Sequence, residues 1–121
     1  MARYVPPDWP ERVQPPGTEG WEASAVTWLL ELVPEFRQYG AVCRHPVILA
    51  SVARHLIRGS AEGARDGYRT VRTELAGHAP PHAVDATLEA YRAEGLRLAA
   101  AKRAVEFVER ALRGEVFRPS L

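Results

Sequence analysis

Apolar residues recur along this chain at spacings of three and four, in stretches separated by proline and glycine. That spacing places them on one face of a helix. Trp21, Ala25, Trp28, Leu29 and Leu32 predict a first helix that begins near Gly17 to Gly20 and runs to Val33. Glu19 and Glu22 stand at its start, where the helix dipole favours negative charge. Pro34 stops it and can open a second, shorter helix, because its fixed φ suits a first turn. Phe36 and Tyr39 would face inward from that turn, and Gly40 would end it.

The next stretch starts at Pro46 and can continue to Leu75 or Ala76. Its first half is strongly apolar, with Val47, Ile48, Leu49, Val52, Leu56 and Ile57. Its second half is thinner, with Ala61, Ala64, Tyr68, Val71 and Leu75. Gly59, Gly63 and Gly67 lie between and within them, and each interior glycine costs roughly 1 kcal/mol relative to alanine. The pattern favours one continuous helix, bent or loosened there; a break near Gly59 is the competing outcome. The same glycines, spaced by four, could form a small-residue stripe for close helix approach. Breakers Gly77, Pro80 and Pro81 then predict a tight turn and an antiparallel return. Val84, Leu88, Tyr91, Leu98, Ala101, Val105, Val108 and Leu112 carry a last helix from about Pro81 to Arg113, closed by Gly114. At 1.5 Å per residue that helix is roughly 50 Å long.

Five of the ten prolines fall within the first sixteen residues, at Pro6, Pro7, Pro10, Pro15 and Pro16. Proline removes a backbone donor, so residues 1–17 read as an extended or polyproline-like arm. Tyr4, Val5, Trp9 and Val13 make it a strap on the helical body rather than a free linker; the alternative is a ligand for an aromatic-lined groove. Residues 18–114 form the helical domain, and 115–121 an extended tail carrying Val116 and Phe117. No alternating strand pattern occurs. The expected fold is all-α: a long antiparallel hairpin, a shorter N-terminal helix and the arm.

This outline predicts an uncovered surface. The first helix is about half as long as the other two and joins the start of the second, so it reaches only one end of the hairpin. The other end carries Tyr68, Val71, Leu75, Val84, Leu88 and Tyr91. An apolar patch there calls for self-association or a partner helix. A homodimer is the expected solution, and another protein the next; a break at Gly59 folding the chain into a compact monomer is the plain alternative.

Composition changes the picture little. The 121 residues, 13.4 kDa, suit one small domain, and 16 basic against 15 acidic side chains leave +1. Fifteen arginines stand against one lysine, Lys102, with nineteen alanines and no asparagine. That usage fits a high-GC genome. Position is more informative than total. Residues 1–40 hold three basic and six acidic side chains (−3), 41–76 hold six and three (+3), and 77–121 hold seven and six (+1). Arg54, Arg58, Arg65, Arg69 and Arg72 share an arc of about 60° on the second long helix. Guanidinium groups grip phosphate or carboxylate bidentately, so this stripe is the candidate partner contact. A solvated face paired with Glu62 and Asp66 is its plain reading. Nucleic acid is the alternative partner, although no recognised nucleic-acid module accompanies the stripe.

Catalytic chemistry finds little support. His78 and His82 flank Pro80 and Pro81, with Asp85 able to complete a set with His82, a weak metal spacing. His55 reads as a buried or boundary histidine. Cys43 and His45 lie in a loop, and a lone cysteine also excludes an internal disulfide. Glu89 and Glu94 do not share a helix face. No phosphate loop, zinc-protease motif or nucleophile elbow occurs. The expectation is a non-enzymatic protein with no cofactor and no metal. No apolar run approaches the roughly 18 residues that span a bilayer. Met1 to Pro10 lacks a secretory core, which predicts a cytoplasmic location away from membranes.

Trp9-Pro10, Pro15-Pro16-Gly17, Trp21-Glu22, Trp28-Leu29, His45-Pro46 and Leu112-Arg113-Gly114 resemble short uncharacterised helical proteins of high-GC actinobacteria. The resemblance spans nearly the whole chain; it implies a source and no activity. The chain is also similar in outline to secreted WXG-type hairpins, but their Trp-x-Gly turn is replaced by Gly77-His78-Ala79-Pro80-Pro81.

Overall fold

A computed structural model describes residues 2–120. Helix α1 spans Trp21–Leu32, a 3-10 turn Pro34–Gln38, α2 Gly40–Cys43, α3 Pro46–Leu75 and α4 Pro81–Leu112. The described residues hold no strand. The fold is all-α, built on the antiparallel pair α3 and α4.

Proline sets most of these boundaries. Pro34, Pro46 and Pro81 each stand in the first turn of an element, where a missing N–H costs nothing. Glycine sets the rest. Gly20 precedes α1 with φ of 80°, and Gly114 follows α4 with φ of 97°, conformations that L side chains rarely adopt. At Gly114 the amide bonds the Ala111 carbonyl, and Glu115 N–H bonds Arg110 O at 3.0 Å, a Schellman closure. Gly40 departs from expectation. It opens the single turn of α2 instead of ending the segment before it, because the 3-10 turn is already closed by Tyr39 N–H bonding Phe36 O.

Helix α3 runs unbroken through Gly59. The seam with α4 holds it: Ile57 and Ala64 on α3 pack with Leu98 and Val105 on α4, and Val71, Val84 and Leu88 are buried farther along the same two helices. That burial offsets the weak intrinsic helicity of three glycines. The three are not equivalent. A Cβ at Gly59 or Gly63 would meet nothing within 4 Å, whereas one at Gly67 would overlap the Tyr91 ring at 2.3 Å. Gly67 is therefore the point where α4 lays an aromatic ring across α3.

The main core lies at one end. Leu29 and Val33 of the α1 segment pack with Leu49, Ala50, Ala53 and Ile57 of α3 and with Leu98 and Val105 of α4. Val13 of the arm joins Ala25 and Val108 in a second cluster bordered by Trp9, Trp21 and Trp28.

The arm is ordered and packs on its own body, but it is not extended. Its proline carbonyls accept bonds three residues on, Trp9 N–H to Pro6, Val13 N–H to Pro10 and Thr18 N–H to Pro15, so it winds through successive turns. Pro7 and Pro16 sit second in two of these turns, where their fixed φ is favourable. Arg3 N–H bonds Pro16 O at 3.0 Å and closes the loop. Trp9 donates its indole N–H to Val13 O at 2.8 Å and contacts Phe117 edge-on, with centroids 6.1 Å apart. Arm and tail thus meet beside α4, at the end that α1 already covers. Among the described residues, the opposite half of the hairpin has two layers only.

Candidate functional site

The residues expected to form an apolar interface divide once α3 and α4 are paired. Val71 is 3 % exposed, and Val84 and Leu88 are each 8 % exposed. These three lie inside the hairpin seam and are not available to a partner, a correction to the reading from sequence. The physical reason is that a thin apolar stripe is satisfied by one neighbouring helix. Leu75 and Tyr91 are half-buried, and Tyr68 is exposed.

The arginine stripe also divides. Arg54 turns inward and donates through Nε to Glu109 Oε1 at 2.7 Å. Arg113 reaches the other carboxylate oxygen at 2.9 Å. Burial opposes ionisation of Glu109, but the hydrogen bonds and positive charge of the two arginines outweigh it and hold this carboxyl below its usual range. This triad joins α3 to α4 and is structural. Arg69 pairs with Asp66 at 2.6 Å, and Arg72 with Asp85 of α4 at 3.4 Å. Arg58 lies 3.1 Å from His55 Nδ1 on the exposed surface. Arg65 forms no ion pair among the described residues.

Two faces flank the seam. On one sits α1, whose C-terminal segment meets Leu56, Ile57, Ser60, Leu98 and Ala101 around a hollow. On the other runs a groove of about 480 Å³ between α3 and α4. Its floor is small: Ala61 and Ala64 from α3, Gly95 and Ala99 from α4. Its walls are Arg65, Tyr68 and Arg69 on one side and Tyr91, Arg92 and Lys102 on the other. Among the described residues no carboxylate lines it. Arg92 donates to the Tyr68 hydroxyl at 3.1 Å across the groove, with its guanidinium 6.0 Å from the ring centroid. Sequence reading found the α3 half of this wall through the stripe. It missed Arg92 and Lys102, because only the antiparallel pairing brings α4 alongside.

The other candidates do not assemble. His55, His78 and His82 are exposed, and Asp85 turns to Arg72 rather than toward His82. Among the described residues no three His, Cys, Asp or Glu side chains cluster as metal ligands. The Cys43 thiol donates to Phe36 O at 3.1 Å, half-buried under the connection before α3. Among the described residues no helix is long and apolar enough to cross a membrane. Compared with family models, curated proteins and solved structures, the chain matches none.

Proposed function

We propose that this protein is a non-enzymatic interaction module that works as a homodimer through the two-layered half of its hairpin. One observation carries the reading: the third layer stops near Ile57 and Leu98, and among the described residues nothing covers the same face beyond it. At 100° per residue, Gly63 and Glu74 of α3 and Ala83, Thr87 and Ala90 of α4 extend that face. Small side chains let another helix approach closely. The charged neighbours Glu94 and Arg97 neutralise each other at 2.6 Å, which leaves Glu74, near the hairpin tip, as the charge a second copy must accommodate. A second hairpin laid across it would complete a four-helix bundle with two-fold symmetry. The groove face is the less suitable dimer surface, because symmetry would set its cations against their copies.

Light scattering after gel filtration tests the reading. Twice the 13.4 kDa chain mass is expected, with Ala90→Arg returning the protein to monomer at unchanged helicity. A monomeric mass up to about 100 μM, well above typical stable dimer constants, would sink it. Contact with nucleic acid through the arginine stripe stands second. Three of its five arginines already hold carboxylates. Retention on an oligonucleotide that falls steeply with salt would favour that reading over ours.

A further inference from the structure

The groove on the opposite face carries an assignment of its own, which stands whether or not the dimer forms. We infer that it is a docking site for an acidic amphipathic helix of another protein. Four observations select this occupant.

The first is charge. Arg65, Arg69, Arg92 and Lys102 line the groove, and no acidic residue does. Asp66 engages Arg69 at 2.6 Å, and Glu106 stands 3.7 Å from Lys102. Arg65 and Arg92 hold no carboxylate within ion-pair distance among the described residues. Glu89 acts on Arg92 from outside the groove, but the walls themselves carry cations and no anion, and a partner bearing carboxylates along two edges would complete the site.

The second is the floor. Ala61 and Ala64 lie beside Gly95 and Ala99 for about one turn, within walls that run two to three turns. Helix axes packed through small residues approach to about 8 Å, so a third helix can settle between α3 and α4. An extended phosphate backbone has no use for an apolar floor with cations only at its rims. An amphipathic helix matches both parts, with its apolar stripe down and its acidic flanks against the walls.

The third is the Tyr68–Arg92 bridge. It spans the groove and fixes a flat aromatic face beside a cation. Such a pair offers one hydrophobic contact and one carboxylate contact at a single register position. The fourth is the fold itself. On the other face α1 already packs against this hairpin as a third helix, with Leu29 and Val33 against α3 and α4. The hairpin thus accepts a helix on one face, and the groove repeats that opportunity on the other with cations added.

The test uses the full chain and two synthetic 18-residue peptides with one Leu/Ala stripe at helical spacing. One carries glutamate on both flanks and the other lysine. Amide shifts are followed by NMR, with a 20-nucleotide oligo-dT as third probe. The glutamate peptide should shift amides across 61–69 and 91–102 and weaken as salt rises. Arg65→Glu with Arg92→Glu should reduce its affinity about tenfold or more. Both positions are exposed, so the fold should persist. Ala99→Trp, which fills the floor without changing charge, should also abolish binding. Absence of shifts at millimolar glutamate peptide would overturn the assignment. So would equal binding of the lysine peptide, or tighter binding of oligo-dT to the same amides.

Discussion

Glu109 is the residue where the most is at stake. Its side chain is 7 % exposed, and Arg54 and Arg113 neutralise it. Removing one partner of such a group leaves charge out of water without full compensation. Arg54→Ala should therefore destabilise the fold by about 2–4 kcal/mol, read by chemical denaturation. The sign with pH follows from the lowered carboxyl. A group whose folded value lies below its unfolded value stabilises above the ordinary carboxylate range and loses that contribution as pH falls through the folded value. The wild-type protein should lose stability more steeply than Glu109→Gln between about pH 5 and pH 2; parallel curves would contradict this. None of it was legible in sequence. Arg54 looked like one member of an outward stripe, and its partner lies 55 positions away, across a turn that only the folded chain brings together.

Elements were more legible than residues. The three-and-four spacing located α1, α3 and α4 to within a few residues, because each apolar stripe has a helix to pack against. The glycines show the limit. Gly59, Gly63 and Gly67 share a spacing of four and look equivalent as letters. Only their neighbours distinguish them, since Gly67 lies under Tyr91 and the other two face open space. Opposite outcomes follow from the same substitution. Gly59→Ala should stabilise by about 0.5–1 kcal/mol, as removal of a helix-interior glycine does. Gly67→Ala should destabilise by about 1–3 kcal/mol, because the ring must move or the helices part. Combining Gly67→Ala with Tyr91→Ala should remove most of this extra cost, measurable as a coupling energy in a double-mutant cycle. The arm was misread for a related reason. Proline count alone does not tell an extended run from successive turns; the bonds to Pro6, Pro10 and Pro15 carbonyls decide it.

At the scale of the molecule, the sequence gives the unequal helix lengths, and these foretell that cover is unequal. It does not reveal how much of the apolar stripe the hairpin itself buries, which is why Val71, Val84 and Leu88 turned out to be seam residues. The arm, α1 and the tail all gather at one end of α3 and α4. That arrangement implies a gradient of motion along a single pair of rods. The clamped end behaves as a fixed mount and the rest as a beam about 23 Å long, measured from Ser60 to Leu75 at the helical rise. Openings of the beam need only part the two helices, whereas openings at the mount must also release α1 and Val13. In the Ala90→Arg monomer, amide hydrogen exchange should accordingly be slowest around Leu49 to Ala53 and Val105 to Val108, and faster toward Leu75 and Val84. Uniform protection along α3 in the unbound monomer would refute the picture. A ligand that lies along the beam then acts as a splint. It should slow exchange at the hairpin tip, beyond the last residue it touches, and make binding visible in stiffness as well as in contact.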